Sequence, residues 1–136
     1  MFAPRLIPIP RFTDGRGALS VVEWDQHLPF VPKRFYWIDH SDTAASRGSH
    51  CHWQDQEVML ALRGSFTVLA DDGRTRTEFL LNRPDAGLYI PAGVWHEVYG
   101  FRDGALCAVL ASGAYKPAED CSDYQAFLAV CQRDSQ

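Results

Sequence analysis

Lysine is nearly missing from this chain: of 13 basic residues among 136, two are lysine and 11 are arginine. Acidic residues outnumber basic ones and the net charge is −4. No stretch gathers the basic surface that nucleic-acid binding needs, so nucleic acid is not an expected partner. A long apolar run is also missing. The opening MFAPRLIPIP breaks on its prolines and reads as neither a signal peptide nor a membrane span, so a cytoplasmic protein with no membrane partner is expected. The four cysteines, Cys51, Cys107, Cys121 and Cys131, form no CxxC pair and no regular framework, and read as reduced thiols. Linkers, repeats and low-complexity segments are lacking, so residues 1–136 read as a single domain. The arginine excess suits planar, bidentate contacts to phosphate.

What is present is a series of short apolar segments punctuated by turns, the pattern of an all-β sandwich or barrel. ALSVVEW (Ala18–Trp24) follows the turn DGRG, where Arg16 reads as a turn residue. KRFYWID (Lys33–Asp39) is aromatic and β-favouring. EVMLAL (Glu57–Leu62) stops at a corner, Arg63-Gly64, and SFTVLA (Ser65–Ala70) meets the hairpin signal DDGR before TRTEFLL. GLYI (Gly87–Ile90) runs into the turn PAG, then VWHEVYGF. ALCAVLAS (Ala105–Ser112) is apolar throughout, as in a strand covered on both faces. Only the end is helical in period: Tyr124, Phe127, Leu128 and Cys131 fall at i, i+3, i+4 and i+7, with a capping box predicted from Ser122 and Gln125.

The chemistry concentrates in RGSHCHWQDQE, Arg47 to Glu57. Alternation along a strand points His50 and His52 the same way, with Cα atoms roughly 6.5–7 Å apart, and turns Cys51 to the opposite face. A third histidine, His96, follows the PAG turn. Three imidazoles and the carboxylate of Glu57 suit a divalent transition metal, and a facing histidine pair equally suits proton transfer near neutral pH. Arg34 and Tyr36 share a face of their strand. Trp95, next to His96, belongs on the other face of a regular strand, where it packs; Trp53 lies in a turn, where an exposed indole marks a partner or ligand edge. His27 and His40 read as structural or surface histidines.

HxH, then Glu57 and Gly64, resembles the first motif of the cupin superfamily, and PxGxxH (Pro91, Gly93, His96) the second. A closer resemblance covers nearly the whole chain. DGRGALSVVE, LPFVPKRFYWI, RGSHCHWQDQEVMLALRGSFTVLADDG, FLLNRPDAGLYIPAGVWHEVYGF and AVLASGAYKPAEDCSDYQAFL resemble, in that order, the WxcM-like sugar-nucleotide 3,4-ketoisomerases. The resemblance implies a cupin-type double-stranded β-helix (jelly-roll) barrel with a short C-terminal helix. It implies conversion of a TDP-4-keto-6-deoxyhexose to its 3-keto isomer, on the way to amino sugars of surface polysaccharides, by a homodimer needing no cofactor. The arm from Phe2 to Pro10 is a candidate strand for pairing with a second subunit.

The resemblance also implies site roles. His50 and His52 shuttle the proton, with Tyr36 as relay or hydrogen-bond donor to the enediolate. Arg34 and Arg47 are candidates for the diphosphate, Tyr89 and Trp95 for the sugar or thymine ring, and Glu57 and His96 for further substrate contacts. One departure matters: the family pattern carries glutamine where this chain has Glu57, and often lysine where it has Trp53. Glu57 completes a possible metal set with His50, His52 and His96. Two alternatives therefore stand beside the isomerase: a metal-dependent cupin oxidoreductase or isomerase holding one divalent transition metal, and a non-catalytic sugar-binding barrel.

Overall fold

Two long antiparallel strands organise the molecule, each bent so that it serves both ends of a barrel. The computed structural model describes residues 3–39, 46–116 and 119–134; His40 and Phe2 lie outside them. In chain order the elements are β1 (Arg5–Pro8), β2 (Arg11–Asp14), β3 (Gly17–Ser20), α1 (Trp24–His27), β4 (Arg34–Asp39), β5 (Arg47–His52), β6 (Glu57–Asp71), β7 (Arg76–Leu81), β8 (Ala86–Ile90), β9 (Trp95–Ala111), β10 (Asp120–Cys121) and α2 (Tyr124–Asp134). The main sheet runs β1-β8-β6-β9-β5-β10, with β4 also paired to β9 and β7 to β6; β2 and β3 form a separate hairpin. All pairings are antiparallel. This is the cupin-type jelly-roll expected from the motifs.

The corner expected at Arg63-Gly64 is a bend inside one strand rather than a break between two. Met59 and Ala61 face the core before it, and Phe66, Val68 and Ala70 after it, so the inward parity switches from odd to even. The register with β9 shifts at the same place. Gly64 has φ +68°, and a Cβ there would overlap the carbonyl oxygen of Arg102. On β9 the parity switches from Val98 to Phe101, Ala105, Cys107 and Val109, with Gly100 and Gly104 at φ +69° and +65°. Bulged residues of this kind bend a strand and increase its twist, which curls the sheet closed.

Val58, Leu60, Tyr89 and Ala108 face outward beneath Ile7, Ile9, Val22, Leu28 and Phe30. Ala18–Trp24 is therefore only partly strand: β3 ends at Ser20, and the chain crosses this outer face before Trp24 opens the single turn α1. His27 is structural as expected, its Nδ1 accepting the Glu23 backbone N–H at 2.8 Å. Arg16 pairs with Asp14 across its turn at 2.7 Å.

Helix α2 forms where the period placed it, and Tyr124, Phe127, Leu128 and Cys131 pack on Cys51 and Trp95. Its cap is Asp123 rather than Ser122: Asp123 Oδ1 accepts the N–H groups of Gln125 and Ala126 at 2.9 and 3.2 Å. A carboxylate one residue nearer the helix reaches those donors directly. Trp53 is not an exposed edge, since its ring stacks on Phe127 at 5.9 Å.

Candidate active site

Strand β5 presents its histidines through an irregularity. The register with β9 shifts between Arg47 and His50, and the two residues in the shift, Gly48 and Ser49, have φ +89° and +44°. A Cβ at Gly48 would sit 3.1 Å from the carbonyl oxygen of His96. Beyond this bulge the strand alternates normally. His50 and His52 point into the barrel, and Cys51, fully buried, points out against α2. His96 stands directly opposite His50 across the β5–β9 ladder.

The three imidazoles converge. Ring centroids of His50 lie 4.4 Å from His52 and 4.7 Å from His96. His50 Nε2 and His52 Nε2 are 2.9 Å apart. Every Nδ1 has its own acceptor: the Gly48 carbonyl for His50 at 2.5 Å, the Val94 carbonyl for His96 at 3.3 Å, and Asp120 Oδ1 for His52 at 2.7 Å. With each Nδ1 donating, the three Nε2 atoms turn lone pairs toward a common centre. Glu57, 1% exposed, adds Oε1 at 3.4 Å from His52 Nε2 and 3.5 Å from His96 Nε2, where it accepts no hydrogen bond. Its Oε2 accepts the Tyr36 hydroxyl at 2.5 Å.

Lone pairs meeting at one point require a cation between them, either a proton or a metal ion. The titration of the groups supports a proton on His52. Burial alone drives its pKa down, but the carboxylates of Glu57 and then Asp120 reverse this and raise it to about 9. For His50, burial and then the neighbouring His52 act together, and the pKa falls below the ordinary 6.5. For His96, burial outweighs the pull of Glu57, and the pKa falls to about 4. Burial opposes the ionisation of Glu57, but His52 and His96 overcome it and bring its pKa down to about 2. The Tyr36 phenol is pushed far up, first by burial and then by Glu57, and stays protonated. At neutral pH the cluster thus pairs a neutral His50 with an imidazolium His52.

The donor set also fits a divalent transition metal. One ligand atom from each of His50, His52 and His96 lies within 4.8 Å of the others, and Glu57 Oε1 is a buried carboxylate oxygen with no hydrogen-bond donor. Imidazole nitrogen with carboxylate oxygen suits such ions.

A cleft of about 540 Å³ opens over the cluster. Arg34, Tyr36, His50 and His52 line it, joined by Asp55, Tyr115, Lys116 and Asp120. The Arg34 guanidinium lies 5.2 Å from the Tyr36 ring and 5.5 Å from the Tyr115 ring, and its buried Nε has no hydrogen-bond partner. Glu57 and His96 lie buried below the cleft instead of on its wall.

Three residues singled out as substrate contacts are placed elsewhere. Trp95 is on the outward parity of β9, its ring 5.2 Å from Tyr124 under α2. Tyr89 faces the outer layer, where Arg5 lies 4.7 Å over its ring and its hydroxyl donates to Gln56. Arg47 is exposed, ahead of the bulge, and does not line the cleft. Asp55, Lys116 and Asp120 were not recognised from sequence. Tyr115 sits in the terminal segment that carried part of the resemblance.

A cupin barrel with a histidine pair and a buried carboxylate under an open cleft defines an acid/base or metal enzyme of small molecules. The comparisons narrow this. Residues 3–132 match the family model described as FdtA, WxcM-like, C-terminal, and the chain belongs to that family. It is 34% identical over 123 residues, 90% of this chain and 88% of the relative, to TDP-4-oxo-6-deoxy-α-D-glucose-3,4-oxoisomerase of Aneurinibacillus thermoaerophilus. Among solved structures it resembles a 3,4-ketoisomerase from Helicobacter canadensis, with 33% identity, TM-score 0.90 and coverage of 97% and 99% of the two chains. A mutant of the 3,4-ketoisomerase QdtA from Thermoanaerobacterium thermosaccharolyticum, in complex with TDP-4-keto-6-deoxyglucose, superposes with TM-score 0.92 at 28% identity, covering 98% and 96%.

Proposed function

We propose that this protein is a sugar-nucleotide 3,4-ketoisomerase that moves the carbonyl of a TDP-4-keto-6-deoxyhexose from C4 to C3 through an enediol. The observation that carries this reading is the pair of imidazoles, neutral His50 and protonated His52, 2.9 Å apart at the base of the cleft. Shifting a carbonyl by one carbon needs a base for the proton on C3 and an acid for the carbonyl oxygen on C4. His50 Nε2 takes the C3 proton while His52 gives its Nε2 proton to O4, which leaves a neutral enediol. The neutral His52 then accepts the proton from O3, and His50 returns its proton to C4. One positive charge stays on the pair throughout, so the two imidazoles never have to be cations together.

Tyr36, held protonated, donates its one O–H to Glu57, and its hydroxyl oxygen at the cleft wall is left to accept a hydrogen bond from an enediol hydroxyl. Arg34 and Lys116 supply the positive charge for the diphosphate, and Arg34 has an unused buried N–H to give it. The product would enter the synthesis of amino sugars for surface polysaccharides. The four free thiols support a reducing compartment such as the cytoplasm, and no helix among the described residues is long and apolar enough to cross a membrane. Phe35 and Trp37, 54% and 62% exposed with rings 5.7 Å apart on the outer face of β4, support a homodimer. Light scattering after size exclusion is expected to give twice the 15.3 kDa chain mass, and a monomer refutes the pairing.

The orphaned Oε1 of Glu57 favours one second reading, in which His50, His52, His96 and Glu57 hold a divalent transition metal. The metal would supply Lewis-acid polarisation of a carbonyl oxygen. One experiment separates the readings: incubation with TDP-4-keto-6-deoxyglucose in deuterated water, followed by NMR, with and without chelator. Formation of the 3-keto sugar is expected in both arms, with deuterium at C4 to the extent that the proton held on His50 exchanges with solvent before its return, and with a loss of about 100-fold or more in His50→Ala and His52→Ala. Activity abolished by chelator establishes the metal reading. No 3-keto sugar in either arm refutes the isomerase.

A further inference from the structure

The three histidines of the cluster are tethered by different means. His50 and His96 each hold their Nδ1 against a backbone carbonyl two residues back on the same stretch of chain, Gly48 and Val94. Those acceptors come with the strand. His52 has no such carbonyl. Its Nδ1 meets Asp120 Oδ1 at 2.7 Å, a side chain 68 residues further along the sequence. Asp120 is brought there by β10, a two-residue strand whose register sets Asp120 opposite His52 and Cys121 opposite Cys51. The Asp120 side chain is 24% exposed and lines the cleft beside His50 and His52.

An imidazole without an anchor can rotate about χ2, a broad torsion, which puts Cδ2 where Nδ1 stood and Cε1 where Nε2 stood. For His52 such a rotation removes Nε2 from its place 2.9 Å from His50 Nε2. Glu57 holds that ring by charge alone, since its Oε1 is 3.4 Å from His52 Nε2 and makes no hydrogen bond to it. We propose that Asp120 is a positioning residue: by accepting the Nδ1–H of His52 it fixes that ring's orientation and tautomer, so that Nε2 faces His50 and the cleft. This rests on the isomerase reading for its effect on turnover, while the ring placement stands apart from it. Asp120 does not exchange protons with the sugar; it acts through His52.

The test uses the whole chain with ¹⁵N-labelled histidine. Wild type is expected to show a downfield His52 Nδ1–H proton protected from solvent exchange. Asp120→Ala is expected to lose this signal and to lower kcat about 10- to 100-fold, the range seen when an outer hydrogen-bond partner of a functional histidine is removed, with KM nearly unchanged. Asp120→Asn keeps an acceptor oxygen in place; it is expected to retain the signal and recover most of the lost kcat. The proposal is overturned if wild type lacks a protected His52 Nδ1–H, or if Asp120→Ala equals wild type in kcat. It is also overturned if Asp120→Asn is as impaired as Asp120→Ala while the signal persists. A signal that depends on Asp120 in a wild-type protein that does not turn over the keto sugar sustains the ring placement and refutes the isomerase reading instead.

Discussion

The surroundings of Glu57 show what a buried carboxylate does beneath the histidine cluster. Fully buried, it receives the Tyr36 hydroxyl on one oxygen and faces two imidazoles with the other. A neutral carboxamide would leave His52 with less reason to stay charged. Glu57→Gln is therefore expected to move the alkaline limb of the kcat/KM profile down from about 9 toward the ordinary histidine value. An unmoved limb in a pH series on both proteins shows that Glu57 does not set the charge of His52. The histidine pair and the inward face of Arg34 and Tyr36 were legible in the sequence because strand alternation is a local rule. Asp120 was not, because nothing local links it to a partner 68 residues away. Tyr89 and Trp95 were assigned to the substrate by resemblance, although alternation from His96 already turned Trp95 outward.

At the scale of the element, α2 shows how a short helix is held by packing more than by its own propensity. Phe127 is fully buried, with Trp53, Trp95 and Tyr124 ring centroids 5.9, 5.7 and 5.8 Å away. Phe127→Ala empties the middle of that aromatic group and is expected to cost about 3–5 kcal/mol in a urea titration. A cost below about 1 kcal/mol would mean that α2 contributes little to the fold. The helix was legible because its apolar period is regular. The bends in β6 and β9 were only half legible: glycines marked the places, but a glycine in a strand signals a bulge or a turn equally well. The choice was made by the partner strand, since β6 and β9 remain paired on both sides of their bends.

For the whole molecule, the buried cluster sets the response to pH. The pKa of Glu57 is depressed from 4.5 to about 2, so its contribution is present above pH 4.5 and is lost as pH falls toward 2. That of His52 is raised from 6.5 to about 9, so its contribution is complete below pH 6.5 and is lost as pH rises through 9. His96 is depressed from 6.5 to about 4 because burial disfavours its charge, and it destabilises the fold progressively as pH falls through that interval. Together these place maximal stability near neutrality, around pH 6.5–7, with Tm falling on both sides. A Tm that is flat from pH 5 to 9 in differential scanning calorimetry contradicts these assignments. The all-β class was legible from segment lengths and turns, and the jelly-roll from the family resemblance. The pairing order was not, because it depends on which distant strands meet.

That pairing order has a temporal consequence. Arg5 lies opposite Tyr89, Tyr36 opposite Val109, and His52 opposite Asp120. Contacts between such distant partners close large loops before they gain anything, and chains built this way reach the native state slowly, in milliseconds to seconds. On the ribosome, the ring of His52 waits for its anchor until 68 further residues have been added. A nascent chain stalled short of β10 can curl much of its barrel yet leaves that imidazole unmoored.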